Sequence, residues 1–271
     1  MKKVASINVN DLHISTRRPV ALVTGGSRGV GAVTVLALAR AGYNVVINYR
    51  NKARRAEAVA VDARRAGATA LVIQADITDR DAVIAMMGRI EAEFGQLDAL
   101  ILNASGGMEK DLIVADPDYP MRINRDAPMT LLEQAHQIFA SGGVIVHVTS
   151  HLAHFYGRVE QLPAYEPVAA SKHAGEIALI AAIPDLARRG IRLAIISGDL
   201  IEDTIVPQLM ERAAPGLIAG RRAQVGSLPT TADMAKAIVD AVRSDALSTG
   251  SVIYVGETNL TALAAPDKGS S

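Results

Sequence analysis

Cysteine is missing from this chain altogether, which excludes disulfides, thiolate metal sites and cysteine nucleophiles. Charge of one sign is missing too. The 28 Lys and Arg balance the 28 Asp and Glu at a formal net charge of +0, so no broad basic field exists to hold nucleic acid or an anionic membrane surface. No apolar run approaches the roughly 20 residues that a membrane-spanning helix needs. Aromatic side chains are scarce, three Phe and six Tyr, which favours aliphatic pocket walls over stacking of a large aromatic ligand. Long polar or low-complexity runs, Pro/Gly/Ser linkers and internal repeats are also absent. What remains is a chain of 271 residues, 49% hydrophobic and 21% charged, able to bury a large core around a small-molecule site. Length alone permits one large α/β domain or two small ones. The opening "MKKVASINVNDLHISTRRP" follows its lysines with Asn and Asp and does not read as a signal peptide, so the expected location is cytoplasmic.

From Pro19 onward, short β-rich apolar runs alternate with alanine-rich segments of helical period. Strands are expected at Val20 to Gly25, Asn44 to Tyr49, Ala70 to Ala75, Leu97 to Asn103, Gly143 to Ser150, Ile191 to Ser197 and Ser251 to Gly256. Most are apolar throughout, as strands buried on both faces are, and the intervening helices supply the crossovers that parallel neighbours require. Seven strands with about six helices predict a single α/β domain, a Rossmann-type, doubly wound parallel sheet, over residues 19–258. Residues 1–18 then form an N-terminal extension and 259–271 a C-terminal tail.

The segment "ALVTGGSRGVGAVTVLALARAG" runs an apolar strand into Gly25, Ser27, Arg28, Gly29, Val30 and Gly31 and then into a helix. Glycines at this spacing let the backbone turn tightly and approach a pyrophosphate at the helix N-terminus. The following strand, ending at Tyr49, completes the βαβ context that makes the pattern meaningful. Nicotinamide dinucleotides differ at the adenosine 2′ position, where an acid after the second strand suits a hydroxyl and an arginine suits a phosphate. Here stand Arg50, no acid, and Arg28 in the loop itself, so the expected cofactor is NADP(H).

With these residues in place, the chain resembles the short-chain dehydrogenases/reductases over roughly residues 19 to 256. Asp76 and Ile77 of "ADIT" resemble the family's adenine-binding segment, and Asn103, Ala104 and Ser105 of "LNASG" stand where it usually has Asn-Asn-Ala-Gly. Asn124 of "MRINRDAP" matches the catalytic asparagine, Ser150 the catalytic serine, Lys172 of "AASKHAG" the lysine that binds nicotinamide ribose, and Gly198 the start of a nicotinamide-contacting loop in which Ser197 replaces proline. The resemblance implies a three-layer α/β/α sandwich, an NADP(H)-dependent oxidoreductase acting on a small molecule, and assembly as a homodimer or homotetramer. "EAEFGQLDAL" and "MTLLEQAHQIF" correspond to segments that are often its subunit surfaces.

The departure lies at the acid. The family's usual motif is Tyr-x-x-x-Lys, but the residue four before Lys172 is Val168, which can neither donate nor accept a proton. Tyr165 stands seven before it, a spacing that resembles one branch of enoyl-acyl-carrier-protein reductases with Tyr-x6-Lys. Seven residues at 100° each return to within about 20° of the same helix face. Pro167 favours a first helical turn and places Tyr165 just outside the helix. Tyr156, six residues after Ser150, is the competing acid, and the segment from Ser150 to Tyr165 is longer than the family pattern, an insertion able to displace the tyrosine or reshape the pocket.

Three readings follow: reduction of an enoyl thioester or related activated alkene, reduction of a 3-oxoacyl-type carbonyl with a relocated tyrosine, and a nucleotide-binding sensor or scaffold without turnover. His151 and His154 lack a recognisable third metal ligand and read as pocket-wall or loop residues, with no metal expected. Asp199, Glu202 and Asp203 read as solvated acids, the alternative being negative charge placed near the substrate entrance. "VPQLMERAAPGLIAGRRAQVG" reads equally as a lid or as a packed helix pair.

Overall fold

The computed structural model describes residues 17–108 and 110–260. Seven strands, β1 (Val20–Val23), β2 (Asn44–Tyr49), β3 (Ala70–Gln74), β4 (Leu97–Leu102), β5 (Phe139–Ser150), β6 (Arg192–Gly198) and β7 (Ser251–Val255), form one sheet in the order β3-β2-β1-β4-β5-β6-β7. Every pairing is parallel. The long crossover helices are α1 (Gly29–Arg40), α2 (Ala53–Arg65) and α3 (Arg80–Phe94). After β4 come α4 (Lys110–Ala115), α5 (Tyr119–Met121) and α6 (Ala127–Ala135); after β5, α7 (His151–His154), α8 (Glu166–Ala181) and α9 (Ile183–Arg188). After β6 come α10 (Ile205–Ala213), α11 (Leu217–Val225) and α12 (Thr231–Arg243). The expected strands are all present within a few residues. More helical segments occur than expected because the connections after β4, β5 and β6 each fold into short helices around the carboxyl ends of the strands.

The strands' apolar runs are explained by two cores. Val23, Ile47, Ile101, Val146 and Ile196 pack beneath α1, α2 and α12, while Leu22, Val46, Leu100, Ile145 and Leu193 face α3, α6 and α8. At about 25 cal/mol per Å², burial on both faces supplies the main drive to fold. A third cluster, of Leu152, Leu162, Tyr165, Val168, Leu200, Met210 and Leu228, lies beyond the strand ends and joins α7, α8 and α10. Of the expected termini, residues 1–16 and 261–271 lie outside the described residues. The described neighbours are anchored, Arg17 in an ion pair with Asp98 at 2.7 Å and Leu260 in the third cluster. Among the described residues no helix is long and apolar enough to cross a membrane.

The sheet reverses direction of strand order between β1 and β4, which opens a crevice at their carboxyl ends. A π-helical turn, Arg122–Asp126, precedes α6 and puts the Asn124 main-chain carbonyl against α8. Gly175 makes that approach possible, since a Cβ there would sit 2.1 Å from the Asn124 oxygen. Gly175→Ala should therefore lower unfolding free energy by about 1–3 kcal/mol, as overpacking does. Gly88→Ala, in mid-α3 with nothing within 4 Å of its added Cβ, should raise it by about 0.5–1 kcal/mol. Chemical denaturation of the two variants checks both signs.

Candidate active site

The crevice is a cleft of about 670 Å³. The β1–α1 loop forms its floor. Gly25 and Gly29 have φ of +64° and +53°, conformations that favour glycine, and a Cβ on Gly31 would meet the Gly25 carbonyl oxygen at 2.5 Å. Helix α1 starts at Gly29 without a side-chain cap and without an acid in its first turn, so its leading N–H groups remain available to an anion. Thr24 Oγ1 accepts from the N–H groups of Asn103 and Ala104 at 3.0 and 3.1 Å, and Asn103 Nδ2 donates to the Thr24 oxygen at 2.9 Å. Asn48, a polar residue buried within β2, ties the floor to the side wall: its Oδ1 accepts from Gly25 N–H at 3.3 Å and its Nδ2 donates to the Ala75 oxygen at 3.0 Å.

The rim at the end of β2 carries Arg28, Arg50 and Lys52 and no carboxylate until Asp76, whose Oδ1 accepts from Thr78 N–H and Oγ1 at 2.9 and 2.7 Å. Arg50 donates from Nη1 to the Tyr119 hydroxyl at 2.6 Å and lies over the Tyr119 ring. The glycine-loop residues, Ser27, Arg28, Val30, Arg50, Asp76, Ile77, Asn103, Ala104, Ser105 and Gly198 all line one cleft, together with Ser150, Tyr165 and Lys172. A glycine cradle, an uncapped helix end and two guanidinium groups on one rim fit a dinucleotide with a phosphorylated ribose.

At the other end of the cleft, the turn from Leu162 sets the position of Tyr165. The Leu162 carbonyl accepts from the N–H groups of Tyr165 and Glu166 at 2.8 and 2.9 Å, and Tyr165 caps α8 with Pro167 in the first turn. The longer segment before it is folded on itself, with Gln161 Nε2 donating to the oxygens of Leu152 and Val159 at 3.1 and 3.3 Å. Tyr165 is consequently inside, 5% exposed, and its hydroxyl donates to Ser150 Oγ at 3.1 Å. Burial raises its pKa, partly countered by the Ser150 hydroxyl. Ser150 Oγ also accepts from Ala153 N–H at 3.2 Å, which leaves its own proton free to donate into the cleft.

Lys172 is 8% exposed, and desolvation pulls its pKa down to about 8 against the raising effect of the Glu176 carboxylate. Asn124 stands behind the lining. Its Oδ1 accepts from Ser105 Oγ at 2.9 Å, and its Nδ2 donates to the Gly106 oxygen and Ser171 Oγ, each at 2.9 Å, locking the loop after β4 to α8. Tyr156 is outside the cleft, on the flank of α8, with its hydroxyl 3.5 Å from Glu166 and its ring beside His173. The folded segment turns it away from Ser150.

Two expectations change. Asp199 is not solvated: it and Arg221 form an ion pair at 2.7 Å with both side chains 1% exposed, and Arg221 also donates to the main-chain oxygens of Asn259 and Glu257 at 2.5 and 2.6 Å. Asp203 is engaged as well, accepting from Thr231 N–H and Oγ1 at 2.8 and 2.6 Å at the start of α12, whereas Glu202 pairs with Arg222 at the surface. The helix pair α10–α11 is therefore fastened, with Ile205, Val206, Pro207, Leu209 and Met210 of α10 lining the cleft. Among the described residues no group of three or more His, Asp and Glu is placed to hold a metal ion. His151 is buried beside the cleft with Nδ1 2.8 Å from Ser197 Oγ, the residue standing where proline was expected.

Burial pushes the pKa of His151 down to about 4 and that of His147, behind Lys172 on β5, to about 3. Both folded-state values lie below the ordinary 6.5, so the unfolded chain takes up protons that the native state refuses. Stability is complete above about pH 6.5 and falls as pH drops toward 4 and 3, by about 1.4 kcal/mol per pH unit for each histidine. Denaturation between pH 6 and 5 should show this slope, and His147→Leu should reduce it by about 1.4 kcal/mol per unit. Arg221→Met, which strands the Asp199 charge, should cost about 3–5 kcal/mol in the same assay at pH 7.

Comparison with known proteins identifies the family. The family model for short chain dehydrogenase matches residues 19–212. Among curated proteins, the chain is 31% identical over 192 residues to 1-cyclohexenylcarbonyl-CoA reductase of Streptomyces collinus, covering 69% of this chain and 66% of that protein. It is 37% identical over 141 residues to versicolorin reductase of Emericella nidulans, covering 51% and 53%. The matched stretches thus span about half to two thirds of these relatives' lengths. A 3-oxoacyl-[acyl-carrier-protein] reductase of Staphylococcus aureus is 44% identical over 91 residues, 34% of this chain and 36% of that one. Among solved structures, a short chain dehydrogenase from Burkholderia cenocepacia in complex with NADP superposes with a TM-score of 0.75 at 31% identity, covering 89% of this chain and 96% of that one. A blue fluorescent protein from a metagenomic library, in complex with NADPH, gives 0.75 at 27% identity over 91% and 98%. The chain belongs to the short chain dehydrogenases, a family of nicotinamide-dependent oxidoreductases.

Proposed function

We propose that this oxidoreductase uses NADPH to reduce an enoyl thioester or related activated alkene, with Tyr165 as the hydrogen-bonding acid. One observation carries the reading: Tyr165, seven residues before Lys172, presents its hydroxyl 3.1 Å from Ser150 Oγ inside the cleft, while Val168 fills the usual tyrosine position. The similarity to a protein named for reduction of a cyclohexenylcarbonyl thioester points the same way. The third apolar cluster around Tyr165, with Leu152, Val168, Leu200 and Met210, suits an aliphatic or alicyclic acyl group.

When bound, NADPH supplies the hydride that reduces the substrate's β-carbon. The Tyr165 hydroxyl turns from Ser150 to the thioester carbonyl and stabilises the oxygen as enolate charge develops. A desolvated site strengthens that hydrogen bond, and the buried ammonium of Lys172 favours negative charge nearby. Lys172 would hold ribose hydroxyls, Arg28 and Arg50 the 2′-phosphate, and the N-terminus of α1 the pyrophosphate. Asn124 positions the Asn103–Gly106 wall without touching the cleft. Burial of an acid group, in a chain whose matched relatives are reductases, favours turnover over a sensor or scaffold role.

Reduction of a 3-oxoacyl carbonyl is the second reading, and the free Ser150 proton favours it. A ketone oxygen beside both hydroxyls would receive one hydrogen bond from Tyr165 and one from Ser150. Assembly as a homodimer or homotetramer belongs to the same proposal.

Oxidation of NADPH against paired crotonyl and acetoacetyl thioesters tests the choice: turnover of the crotonyl ester is expected, and turnover of the ketone alone would replace the first reading with the second. Tyr165→Phe should lower kcat by about 10²–10⁴ with NADPH affinity unchanged, and Tyr156→Phe should leave kcat within about twofold. Arg50→Gln should weaken NADPH binding by at least about tenfold with little effect on NADH, as loss of a charged hydrogen bond predicts.

A further inference from the structure

One contact on the cofactor rim belongs to no sequence motif. Arg50 follows β2 directly and is partly buried, and its main-chain oxygen accepts from Gln74 Nε2 at 3.0 Å, which fixes the residue at its root. Tyr119 of α5 fixes the head: Arg50 Nη1 donates to the Tyr119 hydroxyl at 2.6 Å, and the guanidinium carbon lies 5.8 Å from the ring centroid. Tyr119 is itself firmly seated. It is 6% exposed and packs in the second apolar cluster with Ile77, Leu102 and Ile123. Gly106 leaves room for the ring, since a Cβ there would sit 3.0 Å from both Cε1 and the hydroxyl oxygen. Arg50 and Tyr119 both line the cleft.

Arg28, the other arginine of the rim, differs. It is exposed, and among the described residues its guanidinium has no hydrogen bond, ion pair or ring contact. An unheld arginine gives up the freedom of several side-chain torsions when it grips an anion. An arginine already held gives up less, which is how preorganisation becomes affinity. The holder also matters. A carboxylate in the place of Tyr119 would hold Arg50 and cancel its charge, whereas a hydroxyl accepts one N–H and leaves the charge and the remaining donors to an incoming phosphate. We propose that Tyr119 is the positioning residue for the 2′-phosphate of NADPH: it holds Arg50 in place before the nucleotide arrives, and thereby makes Arg50, more than Arg28, the residue that separates NADPH from NADH. NADH has no group at that position, so its binding makes no use of the held guanidinium. The proposal rests on the NADPH reading and is independent of which substrate is reduced.

Tyr119→Phe keeps the buried ring and removes only the hydroxyl, and titration of NADPH and NADH into the substrate-free protein reads the effect. The Kd for NADPH should rise about three- to tenfold, the worth of one hydrogen bond, while that for NADH stays within about twofold. In an Arg50→Gln background the same substitution should add less than about twofold, because the hydroxyl acts only through Arg50. Arg28→Gln should cost less NADPH affinity than Arg50→Gln. An unchanged or tighter Kd for NADPH in Tyr119→Phe, a loss that adds in full to that of Arg50→Gln, or a larger loss from Arg28→Gln would overturn the assignment. So would an equal loss for both cofactors, which marks packing of the cleft wall alone. A second readout needs no nucleotide: nitrogen-15 relaxation of the Arg50 Nε–H should show restricted motion in the wild type and motion approaching that of the Arg28 Nε–H in Tyr119→Phe, and equal order of Arg50 in the two proteins would overturn the role of the hydroxyl. Wild-type protein that binds NADH as tightly as NADPH would sink the NADPH reading and this proposal with it, whereas a preference for NADPH that Tyr119→Phe leaves untouched would sink this proposal alone.

Discussion

Lys172 carries an ammonium largely kept out of water, and much of the architecture around the cleft is explained by the need to hold it. Lys172 lies on the buried face of α8, where desolvation disfavours its charge and Glu176, one turn on, supports it. That face has to be close to the sheet and rigid. Gly175 lets α8 come into contact with the π-helical turn, and Asn124 in that turn clamps Ser171 of the same helix to the loop after β4. A looser helix would admit water beside Lys172 and return its pKa toward the ordinary lysine value. The scaffold and the electrostatics of the cleft are therefore one device.

The same helix bears on where the tyrosine stands. An α-helix brings residues three or four apart onto one face, and the position four before Lys172 is closed to chemistry because Val168 packs with Leu152 and Met210. The phenol stands instead on the residue that caps the helix, with backbone angles in the right-handed region, φ −108° and ψ −13°. Pro167 sits in the first turn of α8, where its missing N–H costs nothing. The side chain reaches Ser150 Oγ at 3.1 Å. In the function proposed above, a hydroxyl placed there supplies the hydrogen bond to a substrate oxygen.

Period and composition made most of the framework legible in the sequence. Apolar runs, most of them continuous, marked the seven strands, and the glycine loop between a strand and a helix located the cofactor end of the cleft. Tyr165 could be placed at the edge of a helix because Pro167 speaks locally. What escaped were pairs whose members are far apart in sequence: Asp199 with Arg221 across 22 residues, His151 with Ser197 across 46. Each half of such a pair has an ordinary local reading, a solvated acid or a loop histidine, and only the fold supplies the partner. Asn48 did carry a signal, an amide inside an otherwise apolar strand, because a buried amide demands partners that an edge of the sheet alone does not provide. The segment from Ser150 to Tyr165 escaped for a different reason: its order comes from Gln161 bonding to nearby main chain, and no periodicity announces that.

The fastening of α11 bears on how the substrate end of the cleft works. A helix pair that closes over substrate needs an open state of comparable free energy, reached by breaking only weak contacts. Opening by movement of α11 would separate Arg221 from Asp199 and from two main-chain oxygens at the end of β7, exposing a fully buried ion pair and its hydrogen bonds together. Helix α10 is tied to α11 by Glu211, whose carboxylate oxygens accept from the N–H groups of Gly216 and Ile218 at 2.7 and 2.8 Å. Its connection to β6 is held by Asp199 with Arg221 and by Asp203 with Thr231, so the apolar wall that α10 gives the cleft is fixed at both ends. Asp199 lines the same cleft as Tyr165 and stays paired with Arg221. An unpaired carboxylate in the cleft would oppose negative charge developing on a substrate oxygen, and the buried arginine removes that opposition before any substrate arrives.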